Sequence, residues 1–380
     1  MSFNLSLALQ HYPCEILAAI ILVLAVLTII PLLYTIAAFL ISSQPASPAR
    51  LSRHVRGKHI VISGASAGLG FSTSLALAKA GAKLTLVARG ADRDAQGRSR
   101  LDHAVEACLR AASGASAAPV PVGAIACDVS DYPKLVPLLA HAVRERGPVA
   151  WIIANAGVAV PGFAMDQLPS RDAKSHLDHM LDVNAKGPAH LVQAVLANAS
   201  AAATSGIKVS GIPIDASVPE RIVLVGSQIC CVGFIGYTAY CASKFALRGY
   251  ADSLRSELVP FNTNVQLFLP ANMDTPGFAN ENKTKPAITA KIEGSIHTIS
   301  ADAAASVMLS GILSNRYYVT SDLIGELMRI YTHGMAPRRP NPLAEFMAMP
   351  LLSTIFAIFT WMVDMDTKAY GDQERVKSKE

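Results

Sequence analysis

A short apolar run at residues 59–62, a turn reading Gly64-Ala65-Ser66-Ala67-Gly68-Leu69-Gly70, and a helical pattern over 71–80 follow one another without a break. A strand that feeds a helix through a glycine turn is the unit that builds parallel sheets, because the helix carries the chain back to start the next strand in the same direction. The alternation continues, with strand-like runs at 83–87, 124–127, 151–153, 221–225 and 265–269 and helix-length stretches between them. Short apolar strands of this kind are buried on both faces, so helices must cover the sheet from both sides. Residues 90–97 and 199–216 are rich in Ala, Ser, Gly or charge and are expected to be surface loops or insertions.

Composition narrows the class. Hydrophobic residues make up 51% of the 380 and charged residues only 16%, which excludes a disordered chain. Lys and Arg exceed Asp and Glu by 33 − 28 = 5, and aromatics are 6%, so no nucleic-acid partner is expected. The six cysteines (Cys14, Cys108, Cys127, Cys230, Cys231 and Cys241) form no C-x-x-C pair and no zinc spacing. They read as small buried hydrophobes of a reducing compartment, and no metal is expected.

The excess apolar sequence sits at the two ends. Residues 16–41 carry no charge; at about 1.5 Å per residue they reach roughly 39 Å, more than the ~30 Å hydrocarbon core of a bilayer. No Lys or Arg precedes this run, and it is too long for a cleaved signal, so it is expected to be a transmembrane anchor that tilts or bends at Pro31. Only Glu15 stands before it, whereas Arg50, Arg53, Arg56 and Lys58 follow. Positive charge collects on the cytosolic side, which places residues 1–15 in the lumen and the main domain in the cytosol. A second uncharged run at 346–363, preceded by Arg338 and Arg339 and followed by Asp364 and Asp366, is expected to span or lie in the membrane, with a buried helix packed on the domain as the alternative. The expected organisation is a lumenal stretch 1–15, an anchor 16–41, a basic linker 42–56, the main domain 57–335, a membrane-associated or spanning segment 343–363, and a polar tail 364–380.

The turn from Gly64 to Gly70 has a recognisable chemistry. Glycines let the backbone approach a pyrophosphate, and the following helix offers its free N–H groups to the phosphates. Where a carboxylate after the second strand would pair with the ribose 2′-OH of NAD, this chain has Arg89. A guanidinium suits a 2′-phosphate, so NADPH is the expected cofactor, with Arg93 as a weaker second contact.

Further along, Tyr240 and Lys244 stand four residues apart at the start of a helical stretch running toward Val259, and therefore share a helix face. A nearby ammonium is expected to lower the phenol pKa and make Tyr240 a usable general acid. Tyr237 has Cys241 at the same spacing and lacks such a partner. Ser227, thirteen residues before Tyr240 and just past the run 221–225, is placed to hydrogen-bond a carbonyl oxygen.

With Asp128-Val129, Asn155-Ala156-Gly157 and Asn184 added, this set resembles the short-chain dehydrogenase/reductase family over roughly residues 57–277. The resemblance implies a Rossmann-type doubly wound parallel α/β sheet, here with an N-terminal transmembrane helix and a C-terminal apolar membrane-associated segment. It implies that Asn184, Ser227, Tyr240 and Lys244 are catalytic, with Asn184 helping to hold a relay water. It further implies that Gly64, Ser66, Ala67, Gly68, Leu69, Gly70, Arg89, Asp128, Val129, Asn155, Ala156, Gly157, Tyr240, Lys244 and Thr275 line the cofactor groove. More narrowly, residues 238–249, residues 274–286 and Gly334-Met335-Ala336-Pro337 are similar to the 3-ketodihydrosphingosine reductases. That likeness implies NADPH-dependent reduction of 3-ketosphinganine, a long-chain keto-amine lipid, at the endoplasmic reticulum membrane, with Asp274 and Glu281 as candidates for the substrate ammonium. Ala154 departs from the Asn that many relatives carry. A reductase of another lipid ketone (steroid, retinoid or 3-ketoacyl) and a non-catalytic NADPH-binding scaffold are the alternatives, and the helix from Tyr240 leaves room for a homo-oligomer.

Overall fold

The computed structural model of the chain describes residues 13–91, 93–113, 120–169, 175–294, 298–337 and 339–377. Residues 1–12, Asp92, 114–119, 170–174, 295–297, Arg338 and 378–380, as well as the side chains of residues 13–16 and 42, lie outside this description. The centre is a seven-stranded parallel sheet. Its strands are β1 (His59–Ser63), β2 (Lys83–Ala88), β3 (Val122–Ala126), β4 (Val149–Ala154), β7 (Arg221–Val225), β8 (Asn264–Leu269) and β11 (Tyr318–Thr320). They are ordered β3-β2-β1-β4-β7-β8-β11, so the winding reverses between β1 and β4. In α/β sheets that reversal opens a crevice at the carboxyl ends of the strands.

Alternation within each strand builds two apolar layers. Ile60 and Ile62 of β1 and Val223 and Val225 of β7 face one side, where α3 (Gly68–Lys79), α4 (Arg100–Ala112) and α11 (Ala301–Leu313) pack. Val61, Ile222 and Leu224 face the other, covered by α5 (Tyr132–Arg146), α7 (Gly187–Ala201) and α8 (Thr238–Leu258). Along α8 the inward residues Leu247, Ala251, Leu254 and Leu258 recur at helical spacing, which fixes the face that Tyr240 and Lys244 share relative to the sheet. The sheet is therefore doubly wound, as expected from the sequence. Cys108, Cys127 and Cys230 are buried free thiols in these layers.

Some details depart from the sequence reading. Within 42–56, helix α2 (Pro48–Val55) tucks Leu51 and Val55 into the core, so packing of the domain begins before residue 57. The stretch 199–216 is a pinned hairpin: β5 (Lys208–Val209) pairs with β6 (Ile212–Pro213) through Ser210 and Gly211, both at positive φ. Ile212 lies on the second apolar layer, and Asp215 accepts hydrogen bonds from the backbone of Thr204 and Ser205. Strand β11 was not expected, because three residues are too short to show a period.

Helix α1 (Pro13–Ser42) runs through Pro31, and its segment Leu17–Ile41 is long and apolar enough to cross a membrane. The C-terminal apolar segment and most of the polar tail form one helix, α13 (Pro342–Lys377). Helix α13 packs along α1 and against α12 (Leu323–Thr332), and Leu32 of α1 joins Ile330, Ala348 and Leu352 in a small third cluster.

Candidate active site

The parallel register aligns the strand ends. Ser63 pairs with Val87 on one side and Ala154 on the other, so Gly64, Arg89 and Asn155 emerge at one edge of the sheet. A cleft of about 1350 Å³ opens there, beyond the roughly 300–1,000 Å³ of a single-ligand pocket, and so has room for two ligands.

One end of the cleft is built from glycine. Gly64 and Gly68 sit at positive φ. A Cβ on Gly64 would lie 2.8 Å from Asn155 Nδ2, and one on Gly70 would lie 2.3 Å from the Gly64 carbonyl oxygen. Gly70 thus works by close packing behind the turn, whereas Gly64, Ser66, Ala67, Gly68 and Leu69 line the cleft. Asn155 braces the turn, its amide donating to the carbonyls of Ser63 and Gly64 at 3.2 Å each. Ser63, which the sequence reading missed, accepts from the backbone N–H groups of Asn155 and Ala156. Helix α3 begins at Ala67 with no side-chain cap, so its first N–H groups are offered to the cleft. Thr275 caps α9 (Pro276–Glu281) and reaches over the turn, its Cγ2 3.0 Å from where a Gly68 Cβ would stand.

Arg89 lines the cleft at the end of β2 and is exposed, with Arg100, a residue not foreseen, in the same lining. Arg93, the weaker candidate, instead donates to Gly97 O at 2.6 Å within its own loop and lies outside the lining. Asp128, Val129, Asn155, Ala156 and Gly157 complete this wall, and Asp128 also accepts from Ser130. A glycine cradle, an uncapped helix start and two guanidinium groups fit a dinucleotide carrying an extra phosphate.

At the other end Ser227, Tyr240 and Lys244 meet. Lys244 is buried, donates to Val225 O at 3.0 Å, and holds Nζ 5.8 Å from the centroid of the Tyr240 ring. Burial pushes its ammonium down to about 8. The expected lowering of the phenol is not found. Burial, and then the Glu281 carboxylate, raise Tyr240 above the ordinary phenol range, with the Ser227 hydroxyl pulling the other way. The cause is geometric, since the ammonium sits over the ring and is held by a carbonyl.

Asn184 lies behind the cleft in a π-turn (Asp182–Lys186), fully buried. Its Oδ1 accepts from Val158 N at 2.8 Å, and its Nδ2 donates to Val158 O at 2.8 Å and Ser243 Oγ at 2.9 Å. Both amide protons are therefore used within the fold.

Sequence reasoning missed a cluster beside Tyr240. Tyr237 is bonded through its hydroxyl to Glu281 and Glu293, and Lys285 bridges Glu293 at 2.6 Å and Glu281 at 3.3 Å. Glu281 and Glu293 line the cleft together with Lys283, and burial raises the Glu281 carboxyl while Tyr237 and Lys285 pull it the other way. Asp274, the other candidate for an ammonium, is exposed and outside the lining.

Residues 58–286 match the family described as short chain dehydrogenase. The chain belongs to the short-chain dehydrogenase family. It is 29% identical to 3-dehydrosphinganine reductase TSC10B of Arabidopsis thaliana, covering 87% of this chain and 90% of the relative. It is 30% identical to 3-ketodihydrosphingosine reductase of Bos taurus, over 81% of this chain and 85% of the relative. Among solved structures, levodione reductase superposes with a TM-score of 0.56 at 20% identity, covering 73% of this chain and all of that one. A short-chain dehydrogenase from Sphingobium yanoikuyae, solved with NADPH, gives 0.53 at 22% identity over 70% of this chain and 88% of its own.

Proposed function

We infer that this short-chain dehydrogenase family member reduces the 3-keto group of 3-ketosphinganine to give sphinganine, with NADPH as reductant. The observation that carries the reading is the meeting of Ser227, Tyr240 and Lys244 at one end of a cleft whose other end is a phosphate cradle. Relatives covering most of the chain carry the corresponding reductase name. The carboxylates of Glu281 and Glu293 in the cleft lining support an amine-bearing substrate, with Glu281 meeting the ammonium.

The cofactor, when bound, supplies the hydride. Gly64, Gly68 and the start of α3 hold its pyrophosphate, Arg89 with Arg100 meets the 2′-phosphate, and Asn155 keeps the turn in shape. The Ser227 hydroxyl orients the ketone oxygen. Tyr240 donates the proton to that oxygen as it gains charge, which is why a phenol that stays protonated through neutral pH is useful. Lys244 returns a proton to the phenol. Asn184 fixes Val158 against Ser243 and, on this reading, helps to hold a relay water.

A pH dependence follows. Lys244 carries its proton below about 8 and loses it above, so turnover in the reducing direction is expected to be level near neutrality and to fall as pH rises through that value. A kcat profile from pH 6 to 10 that keeps rising past 9 would remove Lys244 from the relay.

The deciding experiment is NADPH oxidation by the detergent-solubilised protein with 3-ketosphinganine, a steroid ketone and a 3-ketoacyl thioester, repeated with NADH. Turnover of 3-ketosphinganine at least tenfold faster with NADPH, and loss of that preference in Arg89→Glu, is expected from one charge-assisted phosphate contact. Turnover confined to another ketone would sink the substrate assignment.

The membrane reading belongs here too. The two apolar helices support association with a bilayer, and Arg50, Arg53, Arg56 and Lys58 after α1 favour a cytosolic domain on the endoplasmic reticulum. Protease added to sealed microsomes should reach the domain; full protection would reverse the orientation.

A further inference from the structure

The wall of the cleft opposite the phosphate cradle comes from two helices that the catalytic residues do not use. Ile324, Met328 and Tyr331 of α12 and Phe356, Phe359 and Thr360 of α13 line the same cleft as Tyr240. Phe359 meets Phe234, in the loop between Ser227 and Tyr240, edge-on at 6.2 Å, and Phe356 stacks on Tyr331 at 5.0 Å. The apolar wall is thus continuous with the catalytic end.

Helix α13 has a second apolar face. Ile355, Ile358, Trp361 and Met362 are 44% to 62% exposed, so the residues beside and between the cleft-lining ones face outward. The helix packs along α1, whose outward residues are apolar throughout. One face of α13 therefore suits lipid while the other bounds the catalytic cleft, and nothing polar wider than Thr360 intervenes along that stretch of helix.

We propose that the α12–α13 wall is the subsite for the alkyl chain of the substrate, entered from the bilayer beside α13. The chain lies against Met328, Tyr331, Phe356 and Phe359 while the keto-amine head reaches Tyr240 and the Glu281 cluster. This rests on the functional reading above and adds to it where the tail goes. It also gives α13 a part in catalysis beyond anchoring, since a chain that slides along the helix leaves the lipid only at its head. Because the chain moves onto the wall from lipid rather than from water, the wall selects it by shape and packing and not by the full hydrophobic transfer energy.

The test compares 2-amino-3-ketones of 8 and 18 carbons presented in the same phosphatidylcholine vesicles. Wild-type protein is expected to favour the longer chain strongly. Phe359→Trp, which narrows the wall, should reduce the long-to-short ratio of kcat/KM at least tenfold. Phe359→Ala should reduce it by a smaller factor. Ile358→Ala, on the outward face of the same helix, controls for anchoring. An unchanged ratio in both Phe359 variants, or an equal drop in Ile358→Ala, would overturn the proposal. A long-chain 3-ketone with a diazirine at its tail supplies a readout without turnover: cross-links are expected on peptides of α12 and α13, and labelling confined elsewhere overturns the proposal. Failure of the substrate reading shows separately, as no turnover of either amino-ketone by wild-type protein, and the labelling still decides the place of the tail.

Discussion

Tyr240→Phe is expected to lower kcat for ketone reduction by about two to four orders of magnitude, the span that a positioned general acid contributes. The change removes one oxygen and leaves the ring, so the contact between Lys244 Nζ and the aromatic face at 5.8 Å persists. Binding of NADPH, followed by its fluorescence, should therefore change only a fewfold. A second phenol does stand nearby, with its ring centroid 5.8 Å from that of Tyr240. Tyr237 is nevertheless a poor substitute: its hydroxyl is bonded to Glu281 and Glu293, and burial with those carboxylates holds its proton well above the ordinary phenol range. Single-turnover hydride transfer at saturating ketone is the measurement. A variant within tenfold of wild type would mean that the proton reaches the oxygen by a route that bypasses Tyr240, and Tyr237→Phe in the same background would then identify or dismiss its neighbour.

The chemistry-bearing turn was legible in the sequence because its cause is local. Gly64 is demanded by its own positive φ and Gly70 by the Gly64 carbonyl six residues back, and that local need leaves a pattern any reader can find, even though Asn155 and Ala156 also crowd Gly64 from a distant strand. The pairing of Tyr240 with Lys244 was legible for the same reason, being a helix spacing. What the ammonium does to the phenol was not. That depends on how deep α8 sits and on Glu281, forty-one residues on and brought close only by the fold, so the direction of the Tyr240 shift came out opposite to the expectation. Arg100 is not legible because its place in the cleft depends on how the loop from Gly90 returns, and for the same reason Arg93, the weaker second candidate, could not be seen to turn back on its own loop. The C-terminal helix shows the limit most clearly. Hydropathy marks an apolar run at 346–363, but no pattern in one sequence says that Phe356 and Phe359 face a cleft while Ile358 faces outward.

Arg329→Met should be the most destabilising single change outside the catalytic set, costing about 3–5 kcal/mol, as expected when one member of a buried ion network is removed. Arg329 is 2% exposed and lies between Glu326, at 2.9 Å on its own helix, and Glu345, at 2.7 Å in the first turn of α13. Burial alone would raise Glu326, yet Arg329 and then Arg316 hold its carboxyl below the ordinary range. Because Arg329 can only donate to His333 Nδ1, the ring carries its proton on Nε2 and donates it to Ala336 O at 2.7 Å. The Gly334-Met335-Ala336-Pro337 segment thus closes the network, and Arg339 beyond it returns to the Gly334 carbonyl and to Glu345. With methionine at 329, Glu345 keeps, among the described residues, the more distant Arg339 at 3.4 Å, and α13 loses its tightest hold on the domain. Thermal unfolding in detergent should show the drop, and hydrogen exchange should report it first in α12 and the start of α13. Adding Glu345→Leu to Arg329→Met should recover part of the loss, since a pair replaced whole by apolar groups leaves no stranded charge. If the single variant melts with wild type, the network contributes nothing net, and the apolar contacts of Ile330, Ala348 and Leu352 alone must hold the cleft wall in place.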